Sequence, residues 1–346
     1  MAVAPSLIKE LREKSGAGML DCKKALNQCD GDIEKAMLFL RESGLAKAAK
    51  KSGNVAAEGI ISLKINDDFT KATMLEMNSQ TDFVAQNENF LDFVKETVDH
   101  VQANDLADSE VLRASTFSGT TYEEYLNNKI ATIGENLVPR KIANVSSTVV
   151  NGYVHSNGRI GVLLAATCDE SAKEKTLLLL KSIGMHAAAM KPSVISYKDL
   201  DPEFIESENK AIIADIEKEN IELHRLGKPL KKIPEYVSRS QLGDEVIASA
   251  KTAMEEELKA QGKPETIWER IIPGQIARFI QDNTQLDSTH SLLSQTYVID
   301  DKKTVEQAIK DTDPSIEIVK YVRFELGDGI EKKEEDFAAE VASQLG

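Results

Sequence analysis

Apolar residues recur along this chain with two different periods, and the change of period divides it. Over residues 6–52 the spacing is helical, with Leu7, Ile8 and Leu11, then Met19, Leu20, Ala25 and Leu26, then Ile33, Ala36, Met37, Phe39 and Leu40. Ser6 can cap the first of these helices and Ser15-Gly16 stops it. Asp30-Gly31 makes the turn after the second, and Ser43-Gly44 ends the third. The pattern predicts a small three-helix bundle, followed by a helical or flexible linker from Lys47 to Asn54. A module of this size with its own apolar set is too small for chemistry and suits binding.

From residue 55 the period shortens. Gly59-Ile60-Ile61-Ser62-Leu63-Lys64-Ile65 leads to a turn at Asn66-Asp67-Asp68, a strand Thr73 to Met77, and a helix carrying Phe90, Leu91, Phe93, Val94 and Val98. The order repeats later. Gly152-Tyr153-Val154-His155 leads to a turn at Ser156-Asn157-Gly158, a strand Ile160 to Ala166, and a helix through Lys191. Two strand-turn-strand-helix units predict a duplicated α+β core with small antiparallel sheets, with Pro139 and Arg140 marking the region between them.

Residues 203–262 are charged and helical. Ile205, Ile212, Ile216, Leu223 and Leu226 follow a heptad-like seam broken at Asn209 and Glu219 and stopped at Gly227-Lys228-Pro229. A further helix with Val246, Ile247, Ala250, Met254 and Leu258 runs to Gly262-Lys263-Pro264. The repeated Gly-Lys-Pro endings predict a coiled-coil-like hairpin protruding from the core, and the broken heptads favour packing within the chain over a long free coil. The expected division is 1–54 (bundle and linker), 55–140 and 141–202 (core), 203–273 (hairpin) and 274–346 (the rest of the core and a C-terminal module).

Composition narrows the function. At 346 residues, with 41% hydrophobic residues, the chain can bury two or three cores. No apolar run is long enough to span a bilayer, and no basic-then-apolar leader opens the sequence, so a cytoplasmic protein without membrane association is expected. The net charge of −15 argues against direct nucleic-acid binding. That charge is uneven: residues 1–54 hold 10 Lys/Arg against 7 Asp/Glu, a balance of +3, which leaves −18 for the remainder. A basic module beside an acidic body suits docking on an acidic protein surface, while Lys47, Lys50 and Lys51 read equally well as a solvated helix face. Cys22, Cys29 and Cys168 cannot all pair and have no C-x-x-C spacing, which fits reduced structural thiols.

The usual signatures of catalysis are missing. His100, His155, His186, His224 and His290 have no i, i+4 pair, so no metal site is expected. His186 shares an apolar helix face with Met185 and Ala189 and reads as a core residue. There is no phosphate-cradling Gly-x-x-x-x-Gly-Lys-Ser/Thr loop, and Gly16-Ala17-Gly18 lacks a preceding strand. No pair of carboxylates stands apart as acid and base. The expectation is a protein with no cofactor that is not an enzyme in the chemical sense.

One segment points elsewhere. In Asn78-Ser79-Gln80-Thr81-Asp82-Phe83-Val84-Ala85, a carboxylate and a phenyl ring sit together at a strand-to-helix junction. On residue types alone, Asp82 caps the following helix and Phe83 packs under it. The octapeptide, however, closely resembles the signature of the elongation factor Ts family, the guanine nucleotide exchange factors of elongation factor Tu. Leu7 to Leu26 resembles that family's opening module, of the ubiquitin-associated type. Gly152-Tyr153-Val154-His155 with Gly158 to Leu163, Met185-His186, Lys191-Pro192, and Arg323 to Lys332 are similar to other family segments. The resemblance implies that Thr81, Asp82, Phe83 and Val84 form a wedge that disturbs the Mg²⁺ site of elongation factor Tu. It implies that His155 presses near the partner's phosphate side, and that Arg12, Met19, Leu20 and Lys23 dock the basic module on a partner helix. Leu20 stands where a second Met is common in the family, a volume-conserving exchange. The hairpin is longer than usual in the family, and a second copy of the chain or a further partner contact through it stays open. So do a non-exchanging adaptor and an RNA-binding translation factor, although the acidic body and sparse aromatic residues oppose the latter.

Overall fold

The computed structural model describes residues 3–15, 17–155 and 157–331, so Gly16 and Ser156 of the expected turns and Lys332 of the family-like tail lie outside the described residues. The chain divides into two compact units, Met1–Ala165 with Val322–Gly346, and Ala166–Tyr321.

The first unit opens with α1 (Pro5–Ser15), α2 (Met19–Gln28) and α3 (Ile33–Lys51). The first helix begins at Pro5 rather than after a Ser6 cap; proline suits the first helical position because its missing N–H has no partner there anyway. Leu11, Cys22, Ala25, Leu26 and Ala36 are buried together as the bundle core. Asp32 caps α3 by accepting a 3.0 Å hydrogen bond from the Lys35 amide.

The third helix does not end at Ser43-Gly44 as expected but continues to Lys51. The reason is packing. A Cβ on Gly44 would lie 3.3 Å from Asn128 Oδ1 and 3.7 Å from the Ala131 Cβ. Gly44 is therefore the close-approach point between α3 and a later helix, α7 (Tyr122–Ile133), and not a helix stop.

Strands β1 (Glu58–Ile65) and β2 (Lys71–Ser79) form the expected antiparallel hairpin, with β2 running two residues beyond Met77. After β2 come α4 (Asp82–Ala85), α5 (Glu88–Asn104), α6 (Ser109–Ala114), the short β3 (Thr116–Phe117) and β4 (Thr120–Thr121), then α7. Next is β5 (Val138–Ser146), which returns antiparallel to β2 and completes the order β1-β2-β5. Pro139 and Arg140, expected to lie between units, are inside β5. Met77 pairs with Pro139 and Glu76 with Lys141, so Arg140 is the extra residue of a bulge on an edge strand, where a proline is tolerated. Its guanidinium reaches the buried Glu76 at 2.9 Å.

Strands β6 (Val149–Val154), β7 (Ile160–Thr167) and β8 (Glu317–Glu325) repeat the plan in the order β6-β7-β8, again a hairpin, then helices, then a third strand beside the second. Side chains alternate across β1 and β2. Ile61, Ala72 and Met74 face Val150, Leu163, Ala165 and Phe324 of the second sheet. Leu75 and Met77 face Phe90, Phe93, Val94, Val98, Tyr122 and Leu126 of the helices. The sheets approach closely at Gly161, where a Cβ would meet Ile61 Cγ2 at 2.5 Å.

The second unit contains α8 (Lys173–Met190), α9 (Pro202–Arg225), α10 (Asp244–Ala260), α11 (Trp268–Asp282), α12 (Gln285–His290) and α13 (Val305–Thr312). Leu200, Ile205, Val237 and Leu286 form a core that the N-terminal half of α9 joins. The close helical pair here is α10 with α11, turned at Gly262-Lys263-Pro264, rather than the 203–226 segment with α10. His186 is buried as expected, although Met185 and Ala189 face outward. Its Nδ1 accepts from the Val298 amide at 3.2 Å, so its Nε2 carries the proton and donates to Gln295 Oε1 at 2.9 Å. Among the described residues, no helix is long and apolar enough to cross a membrane, and no group of three or more His, Cys, Asp or Glu could hold a metal ion.

Candidate functional site

The polar run after Met77 ends the strand, and four residues form a single helical turn, α4. Thr81, not Asp82, is its N-cap. Thr81 is extended (φ −120°, ψ 155°), and its hydroxyl oxygen accepts from the Val84 amide at 3.3 Å. Such a cap contributes about 1 kcal/mol. Asp82 is therefore the first helical residue, and it is exposed.

Ala85 is buried and Val84 half-buried against the α5–α7 core, which seats the turn. Phe83 points the other way. Its side chain is 83% exposed, so the reading in which it packs beneath the helix is overturned. A phenyl ring left in water forgoes about 1.5–3 kcal/mol of burial, an arrangement that suits a ring buried only against a partner.

Glu135 makes three of the hydrogen bonds that hold this turn, a role that could not be read in the sequence. Helix α7 ends at Gly134, left-handed at φ 88°, and the chain turns into Glu135 and Asn136. The Glu135 carboxylate accepts from the Gln80 and Thr81 amides, both 3.0 Å to Oε2, and from the Thr81 hydroxyl, 2.6 Å to Oε1. Asn136 works beside it. Its amide donates to Gln80 Oε1 at 2.7 Å, and its side chain donates to the carbonyls of Ser52 and Asn54 just past α3. The only local signal was a helix-stopping glycine followed by Glu-Asn; the partners lie more than 50 residues away in sequence.

His155 lies at the start of the β6–β7 turn. Its amide donates to the Ile160 carbonyl at 2.9 Å, and its carbonyl accepts from Gly158 at 2.7 Å. The exposed imidazole shares a 3.1 Å hydrogen bond with the Tyr153 hydroxyl. This turn rests on the beginning of β1: the Gly158 carbonyl accepts from the Ile61 amide at 2.8 Å, and Arg159 pairs with Glu58 at 2.7 Å. Glu58 and Gly59 pair with Ser79 and Asn78, the residues from which α4 departs. The turn of residues 81–85 and the His155 turn therefore share one end of the first sheet.

The bundle residues expected to dock are exposed. Met19 and Leu20 at the start of α2 are 60% and 74% exposed, Lys23 follows one turn later, and Arg12 on α1 is also exposed. Between the bundle and α7 lies a cleft of about 400 Å³ lined in part by Asp21, Arg41, Lys47 and Glu124. Four of its charges pair with one another, Arg41 with Glu124 and Lys47 with Asp21. Phe83 is not among the residues that line this cleft.

The family model described as Elongation factor TS matches residues 80–233 and 231–328. Relatives named Elongation factor Ts match from end to end. That of Aliarcobacter butzleri (strain RM4018) is 66% identical over 344 residues, covering 99% of each chain. That of Campylobacter concisus (strain 13826) is 55% identical over 354 residues, covering 100% of each. The Helicobacter hepaticus (strain ATCC 51449 / 3B1) relative is 53% identical over 354 residues, again covering 100% of each.

Proposed function

The chain belongs to the elongation factor Ts family, and from that premise we propose that it is a cytoplasmic guanine nucleotide exchange factor that binds GDP-loaded elongation factor Tu and speeds GDP release during translation elongation. The observation that carries the reading is Phe83, an exposed phenyl ring on a braced one-turn helix.

A GTPase holds GDP through a phosphate-cradling loop and a Mg²⁺ ion on the phosphate oxygens. An exchange factor needs only to bind the nucleotide-free state more tightly. Linkage then makes nucleotide and factor weaken one another equally, and a coupling of about 4 kcal/mol corresponds to roughly a thousandfold. Phe83 enters an apolar gap in the partner, with Thr81, Asp82 and Val84 beside it. His155, at the same end of the sheet, approaches the phosphate side, and the partner's Mg²⁺ site is disturbed as a result. Arg12, Met19, Leu20 and Lys23 hold the bundle on a partner helix. This chain needs no catalytic base, nucleophile, metal or cofactor of its own for that task.

The test is release of labelled GDP from elongation factor Tu with and without this chain. Release accelerated many-fold supports the reading. Binding without acceleration makes the chain an adaptor, and retention on RNA without binding to the GTPase makes it an RNA-binding factor.

A further inference from the structure

We propose that Glu135 is the positioning residue of the wedge: its carboxylate fixes the turn that carries Phe83, and through that turn sets how well the chain promotes nucleotide release. The proposal rests on the exchange reading above. A helix of four residues cannot sustain itself, because nucleation costs more than one turn of hydrogen bonds returns. The 83% exposed ring contributes little to holding its own backbone. What remains is the packing of Val84 and Ala85 on one side, the Ser79 hydroxyl donating to the Thr81 carbonyl at 3.0 Å, the Asn136 amide on Gln80, and, with three hydrogen bonds, Glu135.

Glu135 accepts three hydrogen bonds from two consecutive residues. Two come from amides beyond the end of β2 that no helix uses. The third comes from the Thr81 hydroxyl, which donates its proton to Glu135 and keeps a lone pair for the Val84 amide. The relay from carboxylate to hydroxyl to amide fixes both the cap and the direction in which α4 leaves the strand. The brace is attached to α7 just past its left-handed Gly134 cap, and so to the helix core. A ring held in place before binding spares the complex the entropy of ordering it.

The experiment uses the full chain as Glu135→Ala, Glu135→Gln, Phe83→Ala and Phe83→Ala/Glu135→Ala. GDP release is measured across factor concentrations, together with melting temperature and hydrogen exchange of the amides of residues 80–85. Glu135→Ala is expected to slow release roughly tenfold or more and to speed exchange of those amides. Glu135→Gln keeps an oxygen for the two amides and should recover release to within about threefold. In the Phe83→Ala background, Glu135→Ala should add little, because it acts through the ring.

Normal release by a folded Glu135→Ala, or full additivity with Phe83→Ala, overturns the proposal while leaving the exchange reading intact. Normal release by Phe83→Ala overturns the wedge role of the ring and this proposal with it, whereas no acceleration by the unaltered chain overturns the exchange reading itself. If Glu135→Ala does not fold, Glu135→Asp, which withdraws the carboxylate by one methylene from Gln80 and Thr81 while leaving the Thr81 cap on the Val84 amide, takes its place; slower release is expected, and normal release by the folded variant overturns the proposal.

Discussion

Phe83 and Glu135 are one device read with unequal success. The apolar-to-polar switch after Met77 located the junction, but residue types favoured a packed phenylalanine, and only resemblance put the ring outside. Nothing near Glu135 in the sequence marks it, because its partners lie more than 50 positions away. Exposure makes a direct prediction. Phe83→Ala should leave the melting temperature unchanged and cost about 2 kcal/mol in the complex, roughly thirtyfold in affinity. Asp82→Ala should act in the same direction and less than additively with it. Melting and GDP release measured on one preparation decide, and a large melting loss with normal release would end the wedge assignment. His186 makes a second prediction. Burial holds its imidazole below the ordinary histidine pKa, outweighing the Gln295 hydrogen bond that favours the charged form. Above pH about 6.5 the ring is neutral in both folded and unfolded chains, and its contribution to stability is complete. Below that, the unfolded chain takes up the proton first, so stability falls as the pH drops. An NMR titration of this ring should give a midpoint below about 6.5; a midpoint above it would contradict the arrangement with Val298 and Gln295.

Helix α7 connects the two candidate surfaces. Asn128 and Ala131 seat Gly44 of α3, Glu124 pairs with Arg41, and the turn after the helix clamps α4 and the exit of α3. The helical period and the turn residues were enough to read α1, α2 and the two hairpins. They misread the end of α3, because a glycine at a packing contact looks like a helix stop until its neighbour is known. They also missed β5, whose Pro139 argues against a strand unless an edge bulge is allowed for. The α3–α7 contact has a consequence for truncation. Residues 1–54 carry a bundle core of their own, yet Ala48 of α3 is buried in the same cluster as Tyr122, Leu126 and Ile130 of α7. Removing 1–54 should therefore weaken docking on elongation factor Tu and also destabilise what remains, lowering its melting temperature by roughly 2–4 °C for each kcal/mol lost. A remainder that melts like the intact chain would show that α3 adds nothing to the core.

At the scale of the whole molecule, every residue assigned to nucleotide exchange lies in the first compact unit, whereas the helices beyond the core pattern belong to the second. The heptad seam suggested a hairpin of residues 203–226 against 246–258, but Ile205 and Ile212 of α9 turn toward Val237 and Leu286. The pair that folds on itself is α10 with α11, where Val246, Ala250 and Met254 line a groove with Phe279. Excising 210–257 would therefore also take Val237, which is fully buried. A cut at 244–282 is different, because three hydrogen bonds hold its flanks together. The Tyr236 amide donates to Asn283 Oδ1 at 3.2 Å, the Leu286 amide to the Val237 carbonyl at 2.9 Å, and the Arg239 amide to Asp287 Oδ2 at 2.6 Å. Replacing 244–282 by a short Gly/Ser loop should leave the second unit folded and GDP release within about threefold of the intact chain, since closing a somewhat longer or shorter loop changes stability by only about 0.6 kcal/mol per doubling. Circular dichroism and the release assay on one preparation check both halves. A folded variant whose release falls as far as that of Phe83→Ala would make α10 and α11 part of the exchange surface.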